Sequence, residues 1–218
     1  MVAMILAAGR GERLRPVTDT VPKAMVKVRG EHLIDRHLKM LANANVRDVV
    51  INLGWLGEQI VDHVGSGEQY GVQVVYSPEY DNVLETGGGI CRALPMLGAD
   101  SFWTINGDIY TDWTLPDEDM ADDVLGHLVL VPTPAHKTTG DFSLHNDRVR
   151  YAEDPGLTYS GIARYKASFF ADAAEGRFSV APMLFDAAKR NLLSGSLHEG
   201  VWEDVGSPQR LEQLNLQE

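Results

Sequence analysis

Apolar and polar residues occur in blocks along the first half of the chain, and the lengths and spacings of these blocks match strands and helices. The run Val2–Leu6 is apolar throughout, which is typical of a strand that is buried on both faces. Residues 32–45 place apolar side chains at helical spacing, and Asp48–Leu53 follows as a second apolar strand. The chain therefore begins with a strand, a helix and another strand.

The same alternation continues through the next sixty residues. Residues 56–64 and 87–94 predict helices, whereas residues 72–76 and 102–105 predict strands. Strands that alternate with helices in this way form doubly wound α/β domains, in which a mostly parallel, Rossmann-like sheet binds ligands at the carboxyl ends of its strands. We therefore expect this fold class and a functional site at those ends.

The second half of the chain has shorter blocks. Six acidic residues crowd positions 112–123, a pattern that indicates a solvated surface segment and not a metal site. Residues 125–131 predict another strand. Three short strands are expected to form a small β lip over the sheet, at residues 140–144, 149–151 and 160–165. Two helices are predicted after them, at residues 183–193 and Pro208–Leu216.

Length, composition and charge limit the number of domains and the kinds of partner that we expect. With 218 residues, of which 44% are hydrophobic, the chain fits a single domain over residues 1–218. The formal net charge of −12 would repel nucleic acid from most of the surface. Cys91 is the only cysteine, which excludes an intramolecular disulfide, and no apolar run reaches the ~18 residues of a membrane span. We expect a cytoplasmic protein that binds neither nucleic acid nor membranes.

A glycine-rich loop with an excess of positive charge follows the first strand. Residues 10–29 contain six cations and two acids, a local charge of 6 − 2 = +4 in an acidic chain. Gly9 and Gly11 allow backbone N–H groups to approach a ligand closely. The cations that can bind phosphate oxygens are Arg10, Arg13, Arg15 and Lys23. This loop is neither a Walker loop, because Glu12 follows Gly11, nor a dinucleotide fingerprint, because Leu14 replaces its third glycine.

The chain resembles the sugar-1-phosphate nucleotidylyltransferases in the run Leu6-Ala7-Ala8-Gly9-x-Gly11-x-Arg13-Leu14-x-Pro16, followed by Pro22-Lys23. It departs from the common pattern at Ala24, where a second proline is usual. The resemblance implies the nucleotide-diphospho-sugar transferase fold and a site for a nucleoside triphosphate. The implied nucleotide-binding residues are Leu6, Ala7, Ala8, Gly9, Gly11, Glu12, Arg13, Lys23, Gly87 and Gly88.

Two aspartates lie where this resemblance implies ligands for Mg²⁺. Asp108 follows a buried strand, and Asp204 lies between apolar residues far downstream. Read without the family, either carboxylate could instead cap a turn or a helix. The family reaction brings several negative charges together, so the resemblance implies Mg²⁺ as cofactor and a catalytic role for Arg13, Lys23 and Asp108.

A second glycine run, Gly87-Gly88-Gly89, is expected at or before the start of a helix, because glycine inside a helix costs ~1 kcal/mol per residue. The resemblance implies that this segment contacts the nucleobase. A flexible turn explains the run as well without that context.

The resemblance also assigns a sugar-phosphate site, with Asn106, Gly140, Glu153, Ser160 and Gly161 as the implied contact residues. Many members of the family have Glu-Lys-Pro where this chain has Glu153-Asp154-Pro155. Another cation, Lys137 or Arg164, could replace the missing lysine, or Mg²⁺ could neutralise more of the phosphate charge.

The motif combination is most similar to one branch of the family, the N-acetylmuramate-1-phosphate uridylyltransferases of cell-wall recycling. This implies UTP and N-acetylmuramate α-1-phosphate as substrates, and a monomer or small homo-oligomer. A mannose- or glucose-1-phosphate nucleotidylyltransferase that uses GTP or UTP is the alternative within the family. The alternative from another class is a non-catalytic subunit that senses nucleotides.

Overall fold

The computed structural model describes residues 1–80, 82–117, 119–151 and 156–216. Within these residues the strands are β1 Val2–Leu6, β2 Lys27–Val28, β3 Glu31–His32, β4 Asp48–Leu53, β5 Gln73–Pro78, β6 Ser101–Asn106, β7 Ile109–Thr111, β8 Gly126–Pro132, β9 Ser143–His145, β10 Arg148–Arg150, β11 Leu157–Lys166, β12 Leu193–Leu197 and β13 Trp202–Asp204. The α-helices are α1 Leu33–Asn43, α2 Gly57–Val64, α3 Glu85–Leu97, α4 Ala181–Lys189 and α5 Pro208–Leu216. Short 3₁₀ turns connect several of them.

Nine strands form the central sheet, in the order β5-β4-β1-β6-β11-β8-β12-β10-β9. Its first four strands are parallel, and Ile5 of β1 lies opposite both Ile51 and Ile105. These strands are apolar throughout because helices cover both faces of the sheet. Ala3 and Ile5 belong to the core that contains α1 and α2, whereas Met4 belongs to the core that contains α3 and α4. The predicted doubly wound α/β class is confirmed.

The predicted β lip is wrong in its most important member. Residues 160–165 belong to β11, which lies in the middle of the sheet between β6 and β8 and is antiparallel to both. The hairpin of β9 and β10 extends the far edge of the same sheet. Strand β11 is ten residues long and contains a bulge between Tyr159 and Ala163. Its buried and exposed positions do not alternate regularly there, so the sequence pattern indicated only residues 160–165 of it.

The predicted helix at residues 183–193 is displaced. Helix α4 ends at Lys189, and the chain turns at Asn191, whose φ of 59° is left-handed, before it enters β12. Asn tolerates this conformation better than most residues, so it ends the helix although the apolar pattern continues into Leu192. Strand β12 was missed for this reason.

Two small ladders lie beside the main sheet. Strands β2 and β3 form a hairpin whose turn residues, Arg29 and Gly30, have φ values of 52° and 82°. Strands β7 and β13 pair although 90 residues separate them, and Asp204 lies opposite Ile109. Helix α5 packs on this region through the buried Leu214. The C-terminal segment is thereby fixed at the end of β6.

The acidic segment after β7 has the predicted surface character. The five acids of residues 112–123 that the structure describes are exposed and lie outside helices and strands. None of the described helices is long and apolar enough to cross a bilayer.

Candidate active site

A pocket of about 210 Å³ opens at the carboxyl ends of β1, β4 and β6, where the fold class predicts ligand binding. Its walls come from the loop after β1, the ends of the neighbouring strands and the start of α3. The lining residues are Leu6, Ala7, Ala8, Gly9, Gly11, Lys23, Ala24, Asn52, Glu79, Val83, Glu85, Thr86, Asn106, Gly107 and Asp108.

The neighbouring strands hold the loop after β1 in place. The Ala7 N–H donates to Oδ1 of Asn52 at 2.6 Å, and the Gly107 N–H donates to the Leu6 carbonyl at 2.9 Å. Gly54 passes so close to this loop that a Cβ atom there would lie 2.2 Å from the Ala8 carbonyl oxygen. The backbone that faces the pocket is therefore positioned by β4 and β6 as well as by its own strand.

The two glycines of the loop have different roles. Gly11 has φ 63°, and a Cβ there would lie 2.8 Å from the methyl group of Thr18, whose hydroxyl donates to the Gly11 carbonyl at 2.8 Å. Gly11 thus allows the loop to fold back on itself. By contrast, a Cβ on Gly9 would meet no atom within 4 Å, so this glycine leaves room in the pocket.

The four cationic side chains of the loop contact different parts of the protein. The Lys23 ammonium group forms an ion pair with Oδ2 of Asp108 inside the pocket region, and both side chains are largely buried. Arg10 lies over the ring of Trp55, and Arg15 pairs with a nearby aspartate on the surface. Arg13 is exposed, and its charge contributes to the lowered pKa of Arg210 in α5.

The two aspartates predicted as metal ligands lie on adjacent strand ends. Asp204 is the last residue of β13, and the following Val205 N–H donates to the Asp108 carbonyl at 2.8 Å. The arrangement exists because β13 pairs with β7, which begins immediately after Asp108. The structure thus brings Lys23, Asp108 and Asp204 together.

Arg210 is a residue of this site that the sequence did not reveal. Its guanidinium forms an ion pair with Oδ1 of Asp204 and lies 3.8 Å from Glu203 and 3.2 Å from a ring nitrogen of His136. Burial lowers the pKa of Arg210, and the charge of Arg13 lowers it further, whereas Glu203 raises it. Its place in the first turn of the helix that follows Asp204 was the available signal.

The donor set of the two aspartates fits a divalent cation such as Mg²⁺. Carboxylate oxygens are the protein ligands that Mg²⁺ prefers. The ion pairs with Lys23 and Arg210 engage Oδ2 of Asp108 and Oδ1 of Asp204, so each carboxylate has a second oxygen that can bind a cation. The two cationic side chains can then turn toward phosphate oxygens.

Asn52 and Glu79 form a buried polar connection that the sequence analysis also missed. The Asn52 amide donates to Oε1 of Glu79 at 2.9 Å, and Oε2 of Glu79 accepts the Leu84 N–H at 2.9 Å. Since Oδ1 of Asn52 also accepts the Ala7 N–H, the chain of bonds joins the loop after β1 to the segment before α3. A polar residue near the end of an otherwise apolar strand was the signal for Asn52.

The second glycine run lies inside the first two turns of α3 and not at or before its start, because the helix begins at Glu85, two residues earlier than predicted. Close packing within the protein explains these glycines. A Cβ on Gly87 would overlap the Phe178 ring, and a Cβ on Gly88 would overlap the Gly176 carbonyl. The N–H groups of Gly87 and Gly88 both donate to the Phe178 carbonyl. The residues of this segment that line the pocket are Glu85 and Thr86.

Comparison with known proteins decides the class of this site. Residues 2–122 match the family model described as nucleotidyl transferase. The chain belongs to that family. It is similar to the N-acetylmuramate alpha-1-phosphate uridylyltransferase of Neisseria meningitidis, with 44% identity over 98% of this chain and 96% of that protein. The protein of the same name from Caulobacter vibrioides is 34% identical over 95% of this chain and 93% of its own length.

Solved structures give the same fold. HddC from Yersinia pseudotuberculosis, in a complex with GMP-PN, superposes on this nucleotidyltransferase with a TM-score of 0.78 and 22% identity. The match covers 98% of this chain and 97% of HddC. Nucleotidyltransferases of this family generally use a divalent metal ion.

The predicted sugar-phosphate residues of the nucleotidyltransferase are only partly together. Gly161, with φ 84°, packs so tightly on Asn106 that a Cβ would lie 2.6 Å from its amide nitrogen. The adjacent Ser160 accepts a hydrogen bond from the Trp202 indole through its carbonyl. Gly140 packs against the start of β11, where a Cβ on it would overlap the Leu157 carbonyl. Glu153 and Asp154 lie outside the described residues.

Arg164 cannot replace the missing lysine of the nucleotidyltransferase motif. Its guanidinium lies against Ser101 and Asp119, at the amino end of β6, whereas Asn106 ends that strand. Five residues of strand separate these ends by ~16 Å. Lys137 pairs instead with Asp141, the neighbour of Gly140, at 3.1 Å, so its position is compatible with the sugar side.

Proposed function

We propose that the protein transfers UMP from UTP to N-acetylmuramate α-1-phosphate, which yields the UDP-sugar and pyrophosphate. The observation that carries this proposal is that Lys23 and Asp108 form an ion pair in the pocket beside the glycine loop, while Asp204 ends the strand that pairs next to Asp108. The substrate pair is taken from relatives that match this chain along nearly its whole length. The protein would act in the recycling of cell-wall sugars.

The reaction requires charge neutralisation more than acid–base catalysis. An oxygen of the sugar phosphate attacks the α-phosphorus of UTP, a new P–O bond forms, and the bond between the α-phosphorus and the bridging oxygen breaks to release pyrophosphate. The attacking phosphate is largely deprotonated at neutral pH, so no strong base is needed. The enzyme must instead hold two anions in line, and positioning with electrostatic stabilisation supplies the rate.

Each group in and around the pocket has a separate role in this reaction. The backbone of the loop around Gly9 holds the triphosphate, and the Lys23 ammonium stabilises the charge that develops on the α-phosphate. Arg13 binds the pyrophosphate end from the exposed side. Asp108 and Asp204 would hold Mg²⁺, which when bound neutralises phosphate charge.

Two further segments fix the substrates. Glu85 and Thr86 line the pocket at the start of α3 and face the nucleobase, while Gly87 and Gly88 support them by close packing on Phe178. Asn106 and Gly161 form the adjoining wall on the sugar side.

The test is a matrix of four nucleoside triphosphates against several sugar-1-phosphates, with and without Mg²⁺, read by pyrophosphate release. We expect the highest kcat/KM for UTP with N-acetylmuramate α-1-phosphate and no release without a divalent ion. If the hexose phosphates match or exceed the muramate substrate, the proposed acceptor is wrong. If UTP binds but no pair releases pyrophosphate, the protein is a nucleotide sensor.

A matched pair of variants controls for contaminating activity. Asp204→Asn keeps the size of the side chain but removes the charge of a proposed metal ligand. Asp117→Asn makes the same change on the exposed acidic segment. We expect Asp204→Asn to lose pyrophosphate release while Asp117→Asn retains it. Equal activity of the two variants would contradict the assignment of Asp204.

A further inference from the structure

A second cluster of potential metal ligands lies outside the nucleotide pocket. It consists of His32, which precedes α1, Asp35 in the first turn of α1, and His63 in the last turn of α2. None of these three residues lines the nucleotide pocket. The proposed function assigns them no role.

The geometry of the cluster is compact. One ring nitrogen from each histidine and one carboxylate oxygen of Asp35 lie within 4.8 Å of one another. Nε2 of His63 lies 2.7 Å from Oδ1 of Asp35, and the two imidazole rings meet edge to face with centroids 4.8 Å apart. Three side chains, one each from β3, α1 and α2, thus converge on one point.

The tautomer of His32 prepares it to bind a metal ion. Its Nδ1 is hydrogen-bonded to the Met25 carbonyl, and a carbonyl oxygen can only accept, so Nδ1 carries the proton. Nε2 then has the free lone pair that a metal ion needs. Histidine ligands in metalloproteins commonly have this arrangement, with the second ring nitrogen donating to a backbone carbonyl.

Asp35 is oriented in a similar way. The Tyr70 hydroxyl donates to Oδ1 of Asp35 at 2.6 Å and lies 3.4 Å from Nε2 of His63. The side chains of Asp35 and His63 are 16% and 30% exposed, so the cluster is shielded but reachable from solvent. A hydrogen-bonded carboxylate beside two imidazoles is a ligand set with its supporting contacts already in place.

We propose that His32, Asp35 and His63 bind one divalent transition-metal ion, with Zn²⁺ as the preferred case. Two imidazoles and one carboxylate suit Zn²⁺ and leave a fourth position for water, whereas Mg²⁺ prefers oxygen ligands alone. Tetrahedral Zn²⁺ separates its ligand atoms by about 3.4 Å, so Asp35 and His63 must move apart by ~0.7 Å. Nε2 of His63 faces a carboxylate oxygen, so it must also release its proton when it binds the ion, and metal binding at this site therefore releases a proton.

The site would join α1 to α2, and through the Met25 carbonyl it would reach the 3₁₀ turn that also contains Lys23. A metal ion that binds the folded chain more tightly than the unfolded chain raises the melting temperature. Zn²⁺ binding can therefore be measured without any assay of turnover.

The experiment titrates Zn²⁺ into the full-length protein against a chromophoric chelator, in excess Mg²⁺ to occupy Asp108 and Asp204. We expect one Zn²⁺ per chain and a higher melting temperature. His32→Gln and His63→Gln should each raise the Kd for Zn²⁺ by about tenfold or more. His145→Gln, on the exposed β9, should leave the Kd unchanged.

X-ray absorption of the Zn²⁺-loaded wild-type protein provides a test that does not depend on how well a variant folds. It should show two imidazole ligands. No saturable binding in excess Mg²⁺, equal affinity in wild type, His32→Gln and His63→Gln, or a bound ion with fewer than two imidazoles would overturn the proposal. None of these results bears on nucleotidyl transfer, which the substrate matrix tests separately.

Discussion

At the scale of single residues, contacts around the glycine loop separate the positions that shape the protein from those that leave room for a ligand. A Cβ on Gly54 would overlap backbone, whereas a Cβ on Gly9 would enter open space in the pocket. The same substitution at the two positions should therefore produce different defects.

Gly54→Ala should lower the free energy of unfolding by about 1–3 kcal/mol, because the Ala8 carbonyl must move to admit the methyl group. Gly9→Ala should change it by less than ~0.5 kcal/mol but raise the KM for UTP, because its methyl group occupies space that the triphosphate needs. Urea unfolding and steady-state kinetics measure the two effects. A Gly9→Ala enzyme with native KM would show that the triphosphate does not approach this glycine.

The ion pair of Lys23 with Asp108 gives a second prediction at this scale. Lys23→Ala and Asp108→Asn should each lower kcat/KM by ~10²–10³, because each removes one partner of the ion pair that we propose contacts the reacting phosphates. Lys27→Ala, an exposed lysine of the same stretch, is the matched control and should retain activity. Circular dichroism checks that the variants fold. Retention of more than about a tenth of the wild-type kcat/KM in Lys23→Ala would reject its role.

At the scale of elements, local pattern predicted the structure wherever an element's own residues decide its conformation. The bounds of β1, β4 and α5 agree with the sequence prediction to the residue. The sequence pattern did not predict β7 and β13. Strands of three residues have too few positions to show a period, and these two form by pairing with each other. The central place of β11 depends on strand order, which no local pattern encodes.

The buried bond from Ala7 through Asn52 to Glu79 also links elements and can be tested directly. Asn52→Ala removes the acceptor of the Ala7 N–H and the donor to Glu79, so we expect a loss of about 1–3 kcal/mol in the free energy of unfolding and a higher KM for UTP. Asn43→Ala makes the same change at an exposed position of α1 and should affect neither. Unchanged kinetics in Asn52→Ala would mean that the loop keeps its shape without this bond.

At the scale of the whole molecule, the proposed site combines residues from both ends of the chain. Motif resemblance predicted Lys23, Asp108 and Asp204, since these letters stand in long recognisable runs. It did not predict Arg210, because the importance of that residue depends on its contact with Asp204. Of the residues predicted on the sugar side, Asn106 and Gly161 are in contact. Arg164 lies at the opposite end of β6 from Asn106.

Because the proposed site combines distant segments and so exists only in the folded chain, UTP should stabilise the entire fold. In the presence of Mg²⁺, UTP at a hundred times its Kd should contribute about 2.7 kcal/mol, which corresponds to a rise of roughly 5–10 °C in Tm for a chain of this size. Lys23→Ala at the same UTP concentration should show a much smaller rise, and Lys27→Ala the full one. Differential scanning calorimetry measures the shift, and an equal rise in both variants would contradict the pocket assignment.

The pairing of β7 with β13 also sets an order of events during protein synthesis. Asp204 is translated 204 − 108 = 96 residues after Asp108. At ordinary elongation rates this delay is about 5–20 s, during which the nascent chain carries the glycine loop, Lys23 and Asp108 without the second carboxylate. With the metal-binding role that we propose for Asp204, a ribosome-bound chain that has folded its first parallel strands should still be inactive, and turnover should begin only after β13 has paired with β7.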